Sequence, residues 1–389
     1  MYARMLFVDG VARQSSRPHS ASVVMRSLLI VQLASCALPT IHRDRSTDAG
    51  MADHGPMDAG SDAASRTAQR SDASADADPA QDPANRNEDI ETFQTLVPRQ
   101  HLWAEWPMPD SAPHSKFKPS YSVSAEIITD NVTKLIWQRV LPDIYPGCSG
   151  NYEFVGRKRG VGTGCSWEEA QAYCKRPELA QKLGGGEWRV PTKIELESLI
   201  DVSRVLAVDP LFDAFPVERI WTSSPVPNPE SLKLAWAVDF MEGTSFDTGR
   251  YTGGRVRCVS GANQKGGSAP DYQIERETVR DNTTQLLWQR SPDSATRTWK
   301  GSIAYCEELG LDGGGWRVPS LKELLTIVDS SQRLPAVHRK AFFGTQQERY
   351  WTASEYLDGR DIAYQVDFKL GGSLITGTIT DQHYVRCVR

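Results

Sequence analysis

The stretch WRVPTKIELESLID, beginning at Trp188, recurs almost unchanged as WRVPSLKELLTIVD from Trp316, so the chain carries two copies of one domain. Each copy of the stretch predicts the start of a helix. Thr192 stands three residues before Glu195 and Ser320 three before Glu323, the spacing at which side chain and backbone satisfy each other's donors at a helix N-terminus. Leu321, Leu324, Leu325 and Val328 recur at i, i+3, i+4 and i+7, and Leu196, Leu199 and Ile200 keep part of that stripe, which turns one face inward. Trp188 and Trp316 are read as core residues, and Arg189 and Arg317 as structural partners of a carboxylate such as Asp201 or Asp329.

Further segments repeat in the same order. After the aromatic lead at Trp103 and Trp106, IITDNVTKLIWQR is answered by ETVRDNTTQLLWQR, with Asp130-Asn131 predicting a turn between short strands. Ser166 and Glu169 form a third capping box in SWEEAQAYC, matched by TWKGSIAYC, where Trp299, Ile303 and Cys306 share a helical face. Gly-rich bends at 184–186 and 313–315 lead into the repeated helix. Beyond it, IWTSS matches YWTAS, AWAVDF matches AYQVDF, and RVRCV matches YVRCV, segments rich in the β-branched and aromatic residues that strands favour. Each copy therefore reads as a short strand, two helices and a small antiparallel sheet, an α+β module.

The 389 residues suffice for two such domains plus unstructured segments. All eleven tryptophans lie from Trp103 onward, which places the packed part in the C-terminal three quarters. Residues 37–92 carry 12 acidic and 5 basic side chains and residues 1–36 four arginines and one aspartate, so the formal charge of −5 leaves the remainder at about −1. That balance does not suggest a nucleic-acid partner, which calls for a basic face. The predicted organisation is a leader at 1–36, an Asp/Ala/Ser-rich linker at 37–99, a first domain at 100–260, a short linker at 261–270 and a second domain at 271–389.

The leader ends in Leu33-Ala34-Ser35-Cys36 after a short apolar run, which looks like a bacterial lipobox. Cys36 is then the lipidated first residue of the mature chain, the membrane is reached through acyl chains alone, and Ala37 after it fits an outer-membrane or cell-surface address in a Gram-negative bacterium. The linker lacks the apolar surface to offset its conformational entropy and acts as a disordered tether.

Six cysteines remain, an even number in an exported chain. Cys174 and Cys258 are 84 residues apart, Cys306 and Cys387 81 apart, at matching places in the copies, which predicts one disulfide per domain. Cys148 and Cys165 have no counterparts. They flank a first-copy insertion of about 19 residues, since Trp137 to Trp167 spans 30 residues and Trp288 to Trp299 only 11. Pairing them would close that loop.

The order DN-x-T-x-L-x-WQR, A-x-x-YC, G-G-x-WR-V-P-[ST]-x-x-EL, WT-x-S, VDF and VRCV resembles the Lcl C-terminal domain, a bacterial family of unknown function called after a collagen-like surface adhesin. The resemblance covers about residues 100–260 and 270–389. It implies a C-type-lectin-like fold in two tandem copies and, through its adhesin member, binding of sulfated glycans at the cell surface.

Within that frame three functions compete. A binding module finds its best candidate in the insertion, where Arg157, Lys158 and Arg159 lie close to Tyr152 and Phe154 and would suit sulfate or carboxylate groups. Calcium-dependent sugar binding is not supported, because Glu-Pro-Asn, Gln-Pro-Asp and Trp-Asn-Asp are lacking. An oxidase of the formylglycine-generating kind shares the implied fold, but every mature cysteine already has a structural partner, and the seven histidines are scattered without metal-ligand spacing. Asp239 and Asp367 in VDF are read as structural ion-pair partners rather than catalytic carboxylates. A structural envelope protein that binds other envelope proteins is the third reading. The expectation is a binding protein without cofactor or metal, whose duplication raises avidity if both copies bind.

Overall fold

The computed structural model describes residues 104, 106–150, 160–212, 219–227, 232–261, 270–358 and 360–389. The leader with Cys36, the linker, and Tyr152, Phe154, Arg157, Lys158 and Arg159 of the insertion lie outside the described residues. The first copy runs β1 (Tyr121–Val123), β2 (Ile127–Asp130), β3 (Ile136–Gln138), α1 (Trp167–Cys174), α2 (Pro177–Lys182), α3 (Lys193–Glu197), β4 (Ile220–Pro225), β5 (Leu234–Asp239), β6 (Thr244–Gly249) and β7 (Val259–Ser260). The second follows as β8 (Tyr272–Ile274), β9 (Thr278–Asp281), β10 (Leu286–Gln289), α4 (Trp299–Glu307), α5 (Leu321–Leu325), β11 (Arg349–Glu355), β12 (Ala363–Asp367) and β13 (Gly372–Leu374). The α+β class holds, with one addition. The first copy has a third helix, α2, started by Pro177 at a position whose N–H needs no partner.

All three capping boxes form, with Glu169, Glu195 and Glu323 each accepting from its own N-cap backbone. The apolar stripe overstates the helix, however. α3 and α5 span five residues each, and Ile327 and Val328 already donate to carbonyls three residues back, the tightening that ends a helix. Ile200 and Val328 are buried all the same.

The repeated motifs explain the local geometry. Asp130 accepts from the backbone of Val132 and Thr133, and Asp281 from Thr283 and Thr284, so the DN-x-T turn is built by its aspartate. In WT-x-S, strands β4 and β11 bulge at the same place. The bulge turns the N–H of Ser223 onto the Pro191 carbonyl and that of Ala353 onto Pro319, while Ser224 and Ser354 accept from Lys193 N and Leu321 N, first-turn donors of α3 and α5. Arg189 and Arg317 do pair structurally with carboxylates, but with neither Asp201 nor Asp329, the examples expected. Each forms a bidentate pair with the capping glutamate, Glu195 or Glu323, at 2.6–2.7 Å, because the turn at Pro191-Thr192 and at Pro319-Ser320 folds the helix start back over the arginine. Asp239 and Asp367 accept from the backbone two residues on, at Met241 and Lys369, and so shape the turns after β5 and β12.

The two copies share more than a linker. β4, β5 and β6 continue through β13, β12 and β11 into one six-stranded antiparallel sheet. β6 and β13 meet at Ser245 and Ser373, equivalent residues of the repeat. Each donates its N–H to the other's hydroxyl, at 2.8 and 3.2 Å, and the two hydroxyls lie 3.2 Å apart, so a local twofold passes between them. Gly372 lets the strands close: a Cβ there would meet Ser245 O at 2.8 Å and the Trp236 ring at 3.3 Å. Tyr364 of the second copy donates to Glu242 O of the first at 2.6 Å, and α3 and α5 with the turns that follow them contribute Ile194, Leu196, Leu199, Leu324 and Ile327 to one joint core.

A strap from the aromatic lead crosses this seam. Trp106 and Met108 are buried in the joint core, and the Lys322 ammonium donates to Pro109 O and to Ser198 O, tying strap, first copy and second copy together. Ser320, the N-cap of α5, donates to Asp110. Burial pushes the Lys322 ammonium below its usual range, opposed by Asp110, Asp201 and Asp130.

Equivalent aspartates respond to acid in opposite senses. Burial alone would raise Asp201, but hydrogen bonds from Ser203, Arg204 and Ser111, with the nearby Lys322 charge, hold it below 3.8. Burial of Asp329 prevails over its Ser331 bonds and the charge of His338 and holds it above 3.8. Below pH 3.8 the unfolded chain therefore takes up the Asp201 proton first, and stability is lost as the pH falls through the folded value. Asp329 does the reverse, costing stability as pH rises through the window above 3.8. Urea midpoints between pH 3 and 7 should show a shallower acid loss in Asp201→Asn than in the parent, and in Asp329→Asn an upward shift confined to the higher pH values.

Candidate functional site

The place where the copies differ most is the foot of the first-copy insertion. Its two ends are clamped together. Cys148 is bonded to Cys165, with Cα atoms 4.8 Å apart, and Gly150 bridges Gly164, its carbonyl accepting from Gly162 N at 3.0 Å and Gly164 N at 3.2 Å. Tyr145 N closes a further rung on Gly162 O at 2.7 Å. Glu169 has a second task beside capping α1: it accepts from Ser149 N at 3.0 Å and Ser149 Oγ at 2.6 Å, so helix start and loop stem are held by one carboxylate. Burial acts against its ionisation, but the Ser149 and Ser166 bonds prevail and hold it low. The second copy has Gly301 at the equivalent position.

Behind the stem the support is rigid. Tyr145 is fully buried, its hydroxyl accepting from Arg255 Nε at 3.0 Å and Val256 N at 3.2 Å, and its ring meeting Tyr173 edge-on at 5.0 Å. The loop after β6 is tied to the stem through Cys165 and Gly254, which exchange backbone bonds at 2.8 and 3.0 Å. Gly254 is required there: a Cβ would lie 2.6 Å from Trp221 Nε1. Trp167 N donates to Arg250 O, and the Arg250 guanidinium lies over the Trp167 ring at 4.6 Å. Outward from this frame, Ile144, Val161 and Tyr251 are 61%, 77% and 82% exposed. None of these three follows a periodic pattern, so sequence reading passed over them. Only their proximity to the Cys148–Cys165 span could have drawn attention to Ile144 and Val161.

The polar residues common to both copies are spent on the frame. Buried Arg257 donates to the carbonyls of Gln138 and Arg139, and Arg386 to those of Gln289 and Arg290. Gln138 and Gln289 accept from Cys258 N and Cys387 N. Those cysteines close Cys174–Cys258 and Cys306–Cys387, the pairs expected from spacing. Burial pushes the Arg386 guanidinium down to about 10. Among the described residues no three His, Cys, Asp or Glu side chains gather as a metal would require, and no helix is long and apolar enough to cross a membrane.

The chain belongs to the Lcl C-terminal domain family, whose model matches residues 126–260 and again 277–389. No curated protein matches it. The two matched segments hold the two halves of the six-stranded sheet and the helices, with β1 and β8 just before them, and three disulfides place the chain in an oxidising environment.

Proposed function

We propose that this protein is an exported surface lipoprotein, anchored through Cys36, that binds acidic or sulfated glycans through the insertion of its first copy and performs no catalysis. The carrying observation is the clamped stem, in which a disulfide, two backbone rungs and Glu169 hold the ends of a segment whose sequence contains three consecutive cations. Fixing the ends of a loop lowers the entropy lost when it orders on a ligand. Arg157, Lys158 and Arg159 supply charge-assisted donors for sulfate or carboxylate, and Tyr152 an aromatic face for a sugar ring. Against catalysis stands the use of the repeated polar residues: both copies commit the same arginines, glutamines and cysteines to backbone support. Binding of envelope proteins in place of glycans is the second reading, favoured by exposed Ile144, Val161 and Tyr251 beside the stem.

The triple variant Arg157→Glu/Lys158→Glu/Arg159→Glu should elute from heparin at clearly lower salt than the parent, with an unchanged melting temperature. Equal retention of the two proteins would remove the insertion from the glycan reading. A pull-down from envelope extract that survives the same variant would favour the second reading.

A further inference from the structure

The strap builds a cleft against the second copy. Residues 110–117 form a closed loop, Asp110 N donating to Phe117 O at 2.8 Å and Ser115 N to Ala112 O at 3.0 Å, and the loop stands against the second copy. Between them lies a cleft of about 500 Å³. The loop precedes the first matched segment, which starts at residue 126, so this wall lies outside the family match. Met108 and Phe117 from the strap face Leu286 and Trp316 from the second copy, giving the cleft an apolar lining.

Its charges divide into two sets. Arg317 is taken by Glu323, Arg389 by Asp312, and Asp110 by the Ser320 hydroxyl. Lys116 on the strap and Glu307 at the end of α4 also line the cleft, and both are exposed. Neither makes an ion pair or a side-chain hydrogen bond among the described residues, so each wall keeps one unspent charge, of opposite sign. A ligand that uses both must carry a carboxylate and an ammonium on one small apolar body.

We propose that this cleft is a second binding site, separate from the insertion, that takes a short peptide or similar amino-acid-derived zwitterion. Its carboxylate meets Lys116, its ammonium meets Glu307, and an apolar side chain lies between Phe117 and Trp316. The volume suits a molecule of a few residues.

Isothermal titration of the full-length protein with the dipeptide alanylphenylalanine tests this, with N-acetylphenylalanine amide as the uncharged counterpart. The dipeptide should bind with submillimolar affinity and the blocked compound at least tenfold more weakly. Lys116→Glu and Glu307→Lys, both at exposed positions, should each weaken dipeptide binding at least tenfold while leaving the melting temperature and heparin retention unchanged. Absence of dipeptide binding, equal binding of the blocked compound, or affinities within twofold of the parent in both variants would overturn the assignment. Because heparin retention reads the insertion and the dipeptide reads the cleft, either proposal can fail without the other.

Discussion

Glu195→Ala should lower the unfolding free energy by about 3 kcal/mol, the largest loss expected from any single substitution outside the disulfides. Glu195 is fully buried, accepts from both terminal nitrogens of Arg189 at 2.6 Å, and caps α3 by accepting from Thr192 N at 2.8 Å. Its removal strands a guanidinium in a site that keeps it mostly out of water and frees a helix-start donor at once. The figure sits at the lower end for broken buried pairs because the Arg189 side chain is 35% exposed and can turn to solvent. Glu195→Gln, which retains the cap but not the charge, should lose roughly half as much. Urea unfolding of both variants with Arg189→Met, as a double-mutant cycle, measures the coupling directly. A cycle in which Arg189→Met and Glu195→Ala simply add would refute the pairing.

The double variant Cys306→Ser/Cys387→Ser should cost roughly 2–5 kcal/mol. The bridge joins the last turn of α4 to the segment behind β10 across 81 residues, and both sulfurs lie in the small separate core of the second copy with Leu287, Trp316, Val318 and Val385. A loop of that length gives the reduced chain much entropy to lose on folding. The counterpart Cys174–Cys258 closes 84 residues in a larger cluster, so its removal should be tolerated better. Thermal melts of each double-serine variant, compared with the parent, give the order; a larger drop for Cys174→Ser/Cys258→Ser would contradict the packing argument.

What sequence alone reveals here follows the range of the interaction. Capping boxes, the DN-x-T turn and the matched cysteines lie in short or repeated patterns, and all of them form as read. The partner of Arg189 was misjudged because its carboxylate is six residues ahead, around a proline bend that no periodicity encodes. The joining of β6 to β13 was invisible for a different reason. It depends on two serines 128 residues apart, whose small polar side chains look like any turn-adjacent pair. The strap escaped notice likewise, since Trp106 and Met108 read as an isolated aromatic lead, and their burial depends on a seam that exists only once both copies have met. The cations of the insertion stand out in the sequence, whereas the clamp that joins the ends of that segment, built from glycine carbonyls and Glu169, is a matter of geometry.

The antiparallel meeting of β6 with β13 also sets where the duplicated parts point. The turns that follow those two strands leave opposite rims of the sheet, one beside the stem at Cys165 and Gly254, the other beside Arg297 and His383. Equivalent loops of the two copies therefore leave the joined sheet in opposing directions, so a flat layer laid against one of these rims would leave its counterpart facing away.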